Sequence, residues 1–267
     1  MKFAIIGATG NVGRKTIDIL EKSKLDIDQL FLVASKKSSG KKIKYKGEDL
    51  TVEDLENYNF EKADITFFAA GSSIAEKYGK NASKKTIIID NSKYFRMDKD
   101  VPLIVPEVNP DDIKKHKNII ANPNCSTIQM VLALKPLHKK FIIKRIVVST
   151  YQAVSGAGKA AMDELVSQTR DFLDKKKIKS KNFTKQIAFN LIPHIDVFLE
   201  DGYTKEEWKM ENETKKILSE NIKVSATCVR VPVITSHSES VNVEFAKNYN
   251  IDEVKKLLSE TSGCKLV

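Results

Sequence analysis

Short apolar runs alternate with amphipathic segments along the first half of the chain. Apolar runs that stay apolar on both faces and are separated by helical patterns indicate a parallel sheet covered on two sides. Residues 12–20 show the first such helical pattern. The predicted strands are residues 3–6, 30–34, 65–69, 87–90, 103–105 and 119–121. The pattern therefore predicts a doubly wound α/β domain over residues 1–124.

The second half of the chain has a different pattern, with longer helices and fewer strands. Thr204 stands at the start of a helical pattern, and Glu207 follows three residues later, as in a capping box. A polar, loop-like stretch covers residues 174–185. The predicted elements are strands at 142–151, 226–234 and 241–245 and helices at 158–173, 206–218 and 251–259. The last two strands are predicted to pair with each other, in an α+β domain over residues 125–267.

Length and composition support a two-domain globular protein. The chain has 267 residues, of which 41% are hydrophobic, and no apolar run is long enough to span a bilayer. The N-terminus enters a strand directly and lacks the long apolar stretch of a signal peptide. The three cysteines show neither pairing nor metal-ligand spacing. We therefore expect a cytoplasmic protein with no disulfide, no bound metal and no membrane partner.

The formal net charge of +10 does not alter the expectation of a two-domain globular protein. The lysines are spread along the whole chain, and no aromatic-basic module of a nucleic-acid-binding protein is present. A nucleic-acid partner is therefore not predicted. A positive surface would favour an anionic cofactor or substrate.

A glycine-rich loop follows the first predicted strand and opens the first predicted helix. Glycines let the backbone approach a pyrophosphate, and the helix N-terminus supplies N–H donors and positive potential. A Walker A site is excluded because Arg14 separates Gly13 from Lys15. The alternative is a glycine-rich turn with no ligand. The predicted dinucleotide-binding residues are Gly7, Thr9, Gly10, Asn11, Val12 and Gly13.

The end of the second predicted strand bears on the type of cofactor. NAD enzymes usually place a carboxylate there, whereas this chain has lysines and hydroxyl groups at Ser35, Ser38 and Ser39. These groups suit a 2′-phosphate, and NADP (NADPH) is therefore preferred over NAD. An ordinary polar loop is the alternative.

Cys125 follows the last predicted strand of the first domain and precedes a strongly apolar segment. With Asn124 as N-cap, Cys125 would lie in the first turn of a helix, where the helix dipole favours the reactive thiolate. A cysteine before an apolar helix is equally compatible with a small core residue. The local sequence leaves both interpretations open.

Eight segments together resemble the aspartate-semialdehyde dehydrogenase family. The resemblance is collinear from residue 1 to about residue 245. The segments are GATGNVG at residue 7, NSKYFRMDKDVPLIVPEVN at 91, NPNCST at 122, YQAVSGAG at 151, AFNLIPHI at 188, KMENET at 209, ATCVRVPV at 226 and HSES at 237. The resemblance implies a Rossmann-type domain followed by a substrate and dimerisation domain like that of glyceraldehyde-3-phosphate dehydrogenase.

The resemblance also implies the roles of individual residues. Cys125 corresponds to the nucleophile, Gln152 to the glutamine that orients the reacting group, and His237 to the acid/base histidine. Arg230 corresponds to the arginine that binds the substrate carboxylate. Glu206 corresponds to the acid that faces the substrate amino group.

Further positions complete the predicted site. Arg96 and Lys209 correspond to residues that hold phosphate, although both would otherwise be taken for solvated charges. Asn124 is expected to contact the substrate. The predicted cofactor site also includes Gly71, Ser72, Ser155 and Gly156.

The implied activity is the NADP-dependent reductive dephosphorylation of L-aspartyl 4-phosphate to L-aspartate 4-semialdehyde, through a Cys125 thioester. It belongs to the biosynthesis of lysine, methionine and threonine. The implied ligands are aspartyl phosphate, aspartate semialdehyde and phosphate, and the implied assembly is a homodimer or a dimer of dimers. A related reductase, such as one acting on N-acetylglutamyl phosphate, is the alternative enzyme, but Glu206 and Arg230 suit a free amino acid.

The C-terminus departs from the family pattern. Family chains continue for roughly another third of the second domain, whereas residues 263–267 look like the beginning of a strand. A truncated chain is therefore predicted, and a catalytically silent fragment that binds NADP or a partner is a further alternative.

Overall fold

A seven-stranded sheet organises the first of two units in the computed structural model, which describes residues 1–267. The first unit comprises Met1–Ile104 and Asn109–Pro123. The second comprises Val105–Val108 and Asn124–Val267.

The strands of the first unit follow the order β3-β4-β2-β1-β5-β6-β7. All neighbouring strands pair in parallel except β3 and β4, which form an antiparallel hairpin. The elements are β1 (Lys2–Ile6), α1 (Asn11–Lys22), β2 (Gln29–Ala34), β3 (Lys42–Tyr45), β4 (Glu48–Asp54), β5 (Ile65–Phe68), α2 (Ser72–Ala82), β6 (Ile87–Asp90) and β7 (Ile119–Ala121). This Rossmann-type sheet confirms the predicted α/β fold class.

Two features of this sheet differ from the prediction. Residues 103–105 form no strand, because only Leu103 bridges to Ala121 there. The hairpin of β3 and β4 was not predicted, since lysines alternate with the buried Ile43 and Tyr45 and hide a strand pattern. Its turn is recognisable in retrospect. Lys46 and Gly47 both have positive φ, 49° and 85°, as a two-residue type I′ turn requires.

Gly13 is required by the close approach of α1 to the loop before it. A Cβ atom at residue 13 would lie 2.3 Å from the Gly7 carbonyl oxygen and 2.8 Å from the Ala8 Cα, and both are main-chain atoms. The main chain would have to shift, so we expect Gly13→Ala to lower the free energy of unfolding by about 2–3 kcal/mol.

Urea unfolding measures this loss, and Gly10→Ala is the matched control. A Cβ atom at residue 10 would meet its nearest main-chain atom at 3.4 Å, an ordinary contact. The control should cost less than about 1 kcal/mol. Equal losses in the two variants would contradict the packing argument.

The second unit contains a three-stranded sheet of order β10-β8-β9. Strands β8 and β9 are parallel, and β10 is antiparallel to β8. The elements are α3 (Cys125–Phe141), β8 (Ile143–Gln152), α4 (Lys159–Leu173), α5 (Lys205–Ile217), β9 (Lys223–Arg230), β10 (Ser238–Phe245) and α6 (Ile251–Glu260). This α+β unit is the second part of the confirmed fold class.

The predicted pairing of the last two strands is wrong, because both pair with β8 and not with each other. The segment between them passes the end of β8, where Val154 and Ser155 donate to the carbonyls of Val233 and Ile234. This crossing takes the chain from one edge of the sheet to the other. No strand follows α6, so the strand expected at residues 263–267 is also absent.

Helices α3, α5 and α6 of the second unit pack against one face of its sheet, whereas α4 belongs to a separate buried cluster. Met130, Leu134 and Leu137 on α3 join Met210 on α5 and Ile146 on β8 in one buried cluster. Thr204 and Glu207 form the predicted capping box at the start of α5. No helix of the chain combines the length and the apolar character needed to cross a membrane.

Candidate active site

Cys125 is the first residue of α3, and its side chain is exposed. Asn124 caps the helix by accepting a hydrogen bond from the Ser126 N–H at 2.8 Å. The thiol therefore stands at the positive end of a 17-residue helix, where a thiolate is favoured. Cys228 is the opposite case: it is fully buried, and burial raises the pKa of its thiol to about 12. Cys125 is therefore an accessible cysteine, whereas Cys228 is a core residue.

His237 faces the Cys125 thiol. Its Nε2 atom lies 3.1 Å from the Cys125 Sγ atom, and its Nδ1 atom accepts the Ala153 N–H at 3.0 Å. Burial, and then the positive charge of Arg230, lower the pKa of His237 below its ordinary value, against opposing effects of the Ser236 main chain and Glu206. Burial and Arg230 therefore favour the neutral form of the imidazole.

Glu206 is the buried centre of the polar side chains beside this pair. Its Oε1 atom accepts from Asn124 Nδ2 at 2.7 Å and from Gln152 Nε2 at 3.0 Å, and its Oε2 atom accepts from Lys209 Nζ at 2.7 Å. Burial alone would raise the pKa of Glu206, but Lys209 and the two amides together hold it below its ordinary value. The carboxylate is therefore charged and accepts three hydrogen bonds.

Lys209 lies between two carboxylates, those of Glu206 and Asp196, with the Asp196 oxygen at 3.1 Å. Burial would lower the pKa of Lys209, but the two carboxylates raise it above its ordinary value. Asp196 was not singled out from the sequence, although it follows the predicted AFNLIPHI segment directly. Its φ of 68° is a left-handed conformation that aspartate tolerates better than most residues.

Arg230 ends β9 with a side chain that is only 7% exposed. Its Nη1 atom donates to the Ala153 carbonyl at 2.6 Å. A Cβ atom at Gly156 would lie 3.2 Å from the same nitrogen, so the absence of a side chain there leaves room for the guanidinium. Ser155 precedes Gly156 in the same short 3₁₀ turn.

Glu213 is a further buried carboxylate that was not singled out from the sequence. It is 1% exposed, and its Oε2 atom accepts the Asn124 N–H at 2.6 Å. Glu206 and Glu213 are seven residues apart on α5 and share one face of the helix. This seven-residue spacing is the feature of the sequence that could have indicated Glu213 as a neighbour of Glu206. Asn124 is thus held by α5 through both its main chain and its side chain.

The first unit contains the predicted dinucleotide loop. Helix α1 begins at Asn11 with no side-chain cap and no acidic residue in its first turn, so its N-terminus suits an anion. The Thr9 hydroxyl donates to the Ser38 hydroxyl at 3.3 Å, which joins the glycine loop to the segment after β2. Gly71, with φ of 85°, is the N-cap of α2, which begins at Ser72.

The segment after β2 has the character expected for a 2′-phosphate site. Ser35 precedes a short 3₁₀ turn over Lys36–Ser38, and Ser39 follows it. The turn contains two lysines and no acid. These residues fit an adenosine carrying a 2′-phosphate better than one with free hydroxyls.

Arg96 also lies in the first unit, whereas the other predicted substrate residues lie in the second. Its guanidinium donates to the main-chain carbonyls of Ser92 and Asn91 at 3.0 and 3.1 Å. No group of three or more histidine, cysteine, aspartate or glutamate side chains is arranged to hold a metal ion.

Glu239, two residues after His237, is an ionisable group in an unfavourable environment. Its Oε1 atom is buried without a hydrogen-bond partner, and burial raises its pKa to about 7 despite an opposing hydrogen bond from Gln129. The folded protein therefore holds this proton more tightly than the unfolded chain does, and stability should fall as pH rises from about 4.5 to 7.

We expect Glu239→Gln to raise the free energy of unfolding at pH 8 by about 1–2 kcal/mol, a gain that disappears near pH 5. Denaturant unfolding at the two pH values tests this. Glu244→Gln, on the same strand with a 57% exposed side chain, is the control and should show little change. A gain of equal size at pH 5 and pH 8 would rule out an ionisation effect.

Comparisons with known proteins cover both units. The family model described as semialdehyde dehydrogenase, NAD binding domain, matches residues 2–116, and that described as semialdehyde dehydrogenase, dimerisation domain, matches residues 134–267. The aspartate-semialdehyde dehydrogenase of Aquifex aeolicus is 53% identical over 268 residues, which cover 98% of this chain and 79% of the relative.

Two solved structures resemble the fold of this chain. Aspartate semialdehyde dehydrogenase II from Vibrio cholerae, complexed with ASA, has a TM-score of 0.98 at 45% identity, covering 100% of this chain and 80% of its own. Aspartate semialdehyde dehydrogenase with NADP from Candida albicans has a TM-score of 0.73 at 30% identity, covering 97% of this chain and 76% of its own. The chain therefore belongs to the aspartate-semialdehyde dehydrogenase family, whose members are oxidoreductases that use a nicotinamide cofactor.

Proposed function

We propose that this chain catalyses the NADP-dependent reductive dephosphorylation of L-aspartyl 4-phosphate to L-aspartate 4-semialdehyde through a thioester on Cys125. The observation that carries the proposal is the 3.1 Å contact between Cys125 Sγ and His237 Nε2 at the start of α3. A nucleophile and its acid/base partner are within reach of each other there. The product places the reaction in the biosynthesis of lysine, methionine and threonine.

The two parts of the chain have separate roles in this proposal. Residues 1–124 bind the dinucleotide, with its pyrophosphate at the glycine loop and α1, and its 2′-phosphate at Ser35, Ser38 and Ser39. The uncapped N-terminus of α1 and the lysine-rich turn after β2 support NADP. Gly71 and Ser72 at the start of α2 extend the site. Residues 125–267 bind the substrate.

The covalent steps follow from the position of Cys125. Its thiolate attacks the acyl carbon of aspartyl phosphate, a carbon–sulfur bond forms, and the carbon–oxygen bond to phosphate breaks. Bound NADPH supplies the hydride that reduces the acyl group. His237 stays within hydrogen-bond distance of the sulfur while the resulting thiohemiacetal collapses to the aldehyde. Division into two steps avoids direct reduction of an acyl phosphate.

The charged residues around Cys125 fit an amino acid substrate. Arg230 uses one N–H group of its guanidinium to bind the Ala153 carbonyl. Its other N–H groups suit the carboxylate of the substrate. Glu206 supplies the negative charge that faces the substrate ammonium group, and Gln152 orients the reacting acyl group from the same hydrogen-bond network. Asn124 contributes through its side-chain amide.

Lys209 is proposed to hold the phosphate group. Lys209 is ion-paired with Glu206 and Asp196, so a phosphate that binds there must share its ammonium group. The net positive charge of the chain favours approach of this anionic substrate.

The second unit is proposed to form a homodimer. It exposes several large apolar side chains, among them Leu173 at 69% and Phe198 at 63%. Phe189 and Leu191 are also more than half exposed. Exposed apolar side chains of this kind suit an association surface. Native mass spectrometry distinguishes a dimer from a dimer of dimers.

The test of this function is the reverse reaction. Aspartate semialdehyde should reduce NADP only when phosphate is present, with NAD a weaker acceptor. N-acetylglutamate semialdehyde is the comparison substrate and should be turned over poorly, because its acylated nitrogen lacks the charge that Glu206 recognises. No turnover of either aldehyde by a protein that binds NADP would indicate a silent fragment and contradict the proposal.

A further inference from the structure

The main chain of Ala153 contacts two side chains of the candidate site. Its N–H donates to His237 Nδ1 at 3.0 Å, and its carbonyl accepts from Arg230 Nη1 at 2.6 Å. Ala153 is fully buried and follows the last residue of β8. One buried residue therefore holds both the imidazole and the guanidinium in place.

The first of these contacts bears on the position of the imidazole proton. A ring nitrogen that accepts a hydrogen bond has no proton of its own, so a neutral His237 that accepts at Nδ1 carries its proton on Nε2. Nε2 is the atom that lies 3.1 Å from the Cys125 sulfur. A doubly protonated ring would place an Nδ1 proton against the Ala153 N–H.

We propose that the Ala153 N–H is a positioning group that fixes His237 as the neutral Nε2–H tautomer, so that the resting histidine donates a hydrogen bond to the Cys125 thiolate. The inference rests on the proposed function only in taking these two residues as one reaction centre. In this arrangement the resting His237 stabilises the thiolate as a hydrogen-bond donor.

The charges around the imidazole agree with this assignment. Arg230 on β9 and the N-terminus of α3 face the site with positive potential and offset the negative charge of a thiolate beside a neutral ring. Glu206 on α5 and the main chain of Ser236 act in the opposite direction and favour a protonated ring. Burial adds to the effect of Arg230, and the pKa of His237 falls.

The tautomer has a consequence for the reaction. When the thiohemiacetal oxyanion collapses, its electron pair forms the carbonyl, the carbon–sulfur bond breaks, and the sulfur leaves as a thiolate. An Nε2–H group is already in place to donate to that sulfur, so the step needs no net proton transfer to or from His237. Arg230 contributes by holding the Ala153 carbonyl.

The tautomer is observable by NMR in the resting protein, with neither substrate nor cofactor. The chain has four histidines, so selective ¹⁵N labelling gives few signals, and His237→Asn identifies those of residue 237. At pH 8 we expect an unprotonated Nδ1 and a protonated Nε2. A proton on Nδ1, or a doubly protonated ring, would overturn the inference.

A main-chain substitution tests the role of Ala153 itself. Replacing Ala153 by lactic acid turns its amide into an ester and removes the N–H, while its own carbonyl still accepts from Arg230. We expect the His237 signals to show a mixture of tautomers and kcat to fall about five- to tenfold, with little change in KM.

The matched control replaces Gly202 by glycolic acid, which removes an N–H that donates to the Leu199 carbonyl at 3.1 Å. Its tautomer and kcat should stay as in the unmodified protein. An Ala153 ester with an unchanged tautomer would contradict the inference. The NMR result stands apart from the assay, because an inactive protein with an Nε2–H tautomer would refute the proposed function alone.

Discussion

Cys125→Ala should abolish the phosphate-dependent reduction of NADP by aspartate semialdehyde, with a loss on the order of a thousandfold or more in kcat. The thiol lies 3.1 Å from His237 Nε2, and no thioester can form without it. The melting temperature should hardly change, because the side chain is exposed and removing it leaves no buried cavity. Initial rates at saturating substrate, together with thermal unfolding, measure both effects.

Cys264→Ala is the control for this variant. Cys264 is partly exposed and follows α6, away from every residue of the candidate site in sequence. Its loss should leave kcat within about twofold of the unmodified protein, as is usual for a substitution outside special features. Residual turnover of Cys125→Ala at a tenth of the normal rate would exclude the covalent path.

Glu206→Ala should strongly destabilise the second unit. It removes the acceptor of the Asn124 and Gln152 amides and one of the two carboxylates that pair with Lys209. A buried ion pair that loses one partner typically costs about 3–5 kcal/mol. We expect a loss of that size in the free energy of unfolding by urea, accompanied by loss of activity.

Glu211→Ala on the same helix provides the comparison. Glu211 pairs with Lys215 one turn later, and both side chains are about a third exposed, so that pair should contribute about 0.5 kcal/mol or less. If the two substitutions cost the same, burial of the Glu206 network would not be the source of stability.

Elements whose residues are apolar on both faces were predictable from the sequence. Strands β1, β2, β5, β6 and β7 are short apolar runs, and the glycine loop and helix caps mark where helices begin. The β3–β4 hairpin could not be predicted because lysines on its exposed face hide the strand pattern. The neighbours of β9 and β10 could not be predicted because strand pairing depends on contacts between residues that are distant in sequence. Strand patterns identify strands but not their partners.

The candidate site shows the same limit. Cys125 and its N-cap could be recognised locally, because capping depends on adjacent residues. Its contact with His237 joins residues 112 positions apart, and only the family resemblance anticipated it. Glu213, Asp196 and the Ala153 main chain support the site through tertiary hydrogen bonds that leave no local pattern. Two of these three are charged residues in a chain where charges are common.

Mass spectrometry of the Cys125 peptide shows whether the thioester forms. Protein mixed with aspartate semialdehyde and NADP, without phosphate, should accumulate the acyl-enzyme, because the group that releases the acyl product is missing. We expect an added aspartyl group on Cys125 and one equivalent of NADPH per site, and the added group should disappear when phosphate is supplied. An unmodified Cys125 in protein that turns over normally with phosphate would contradict the covalent path.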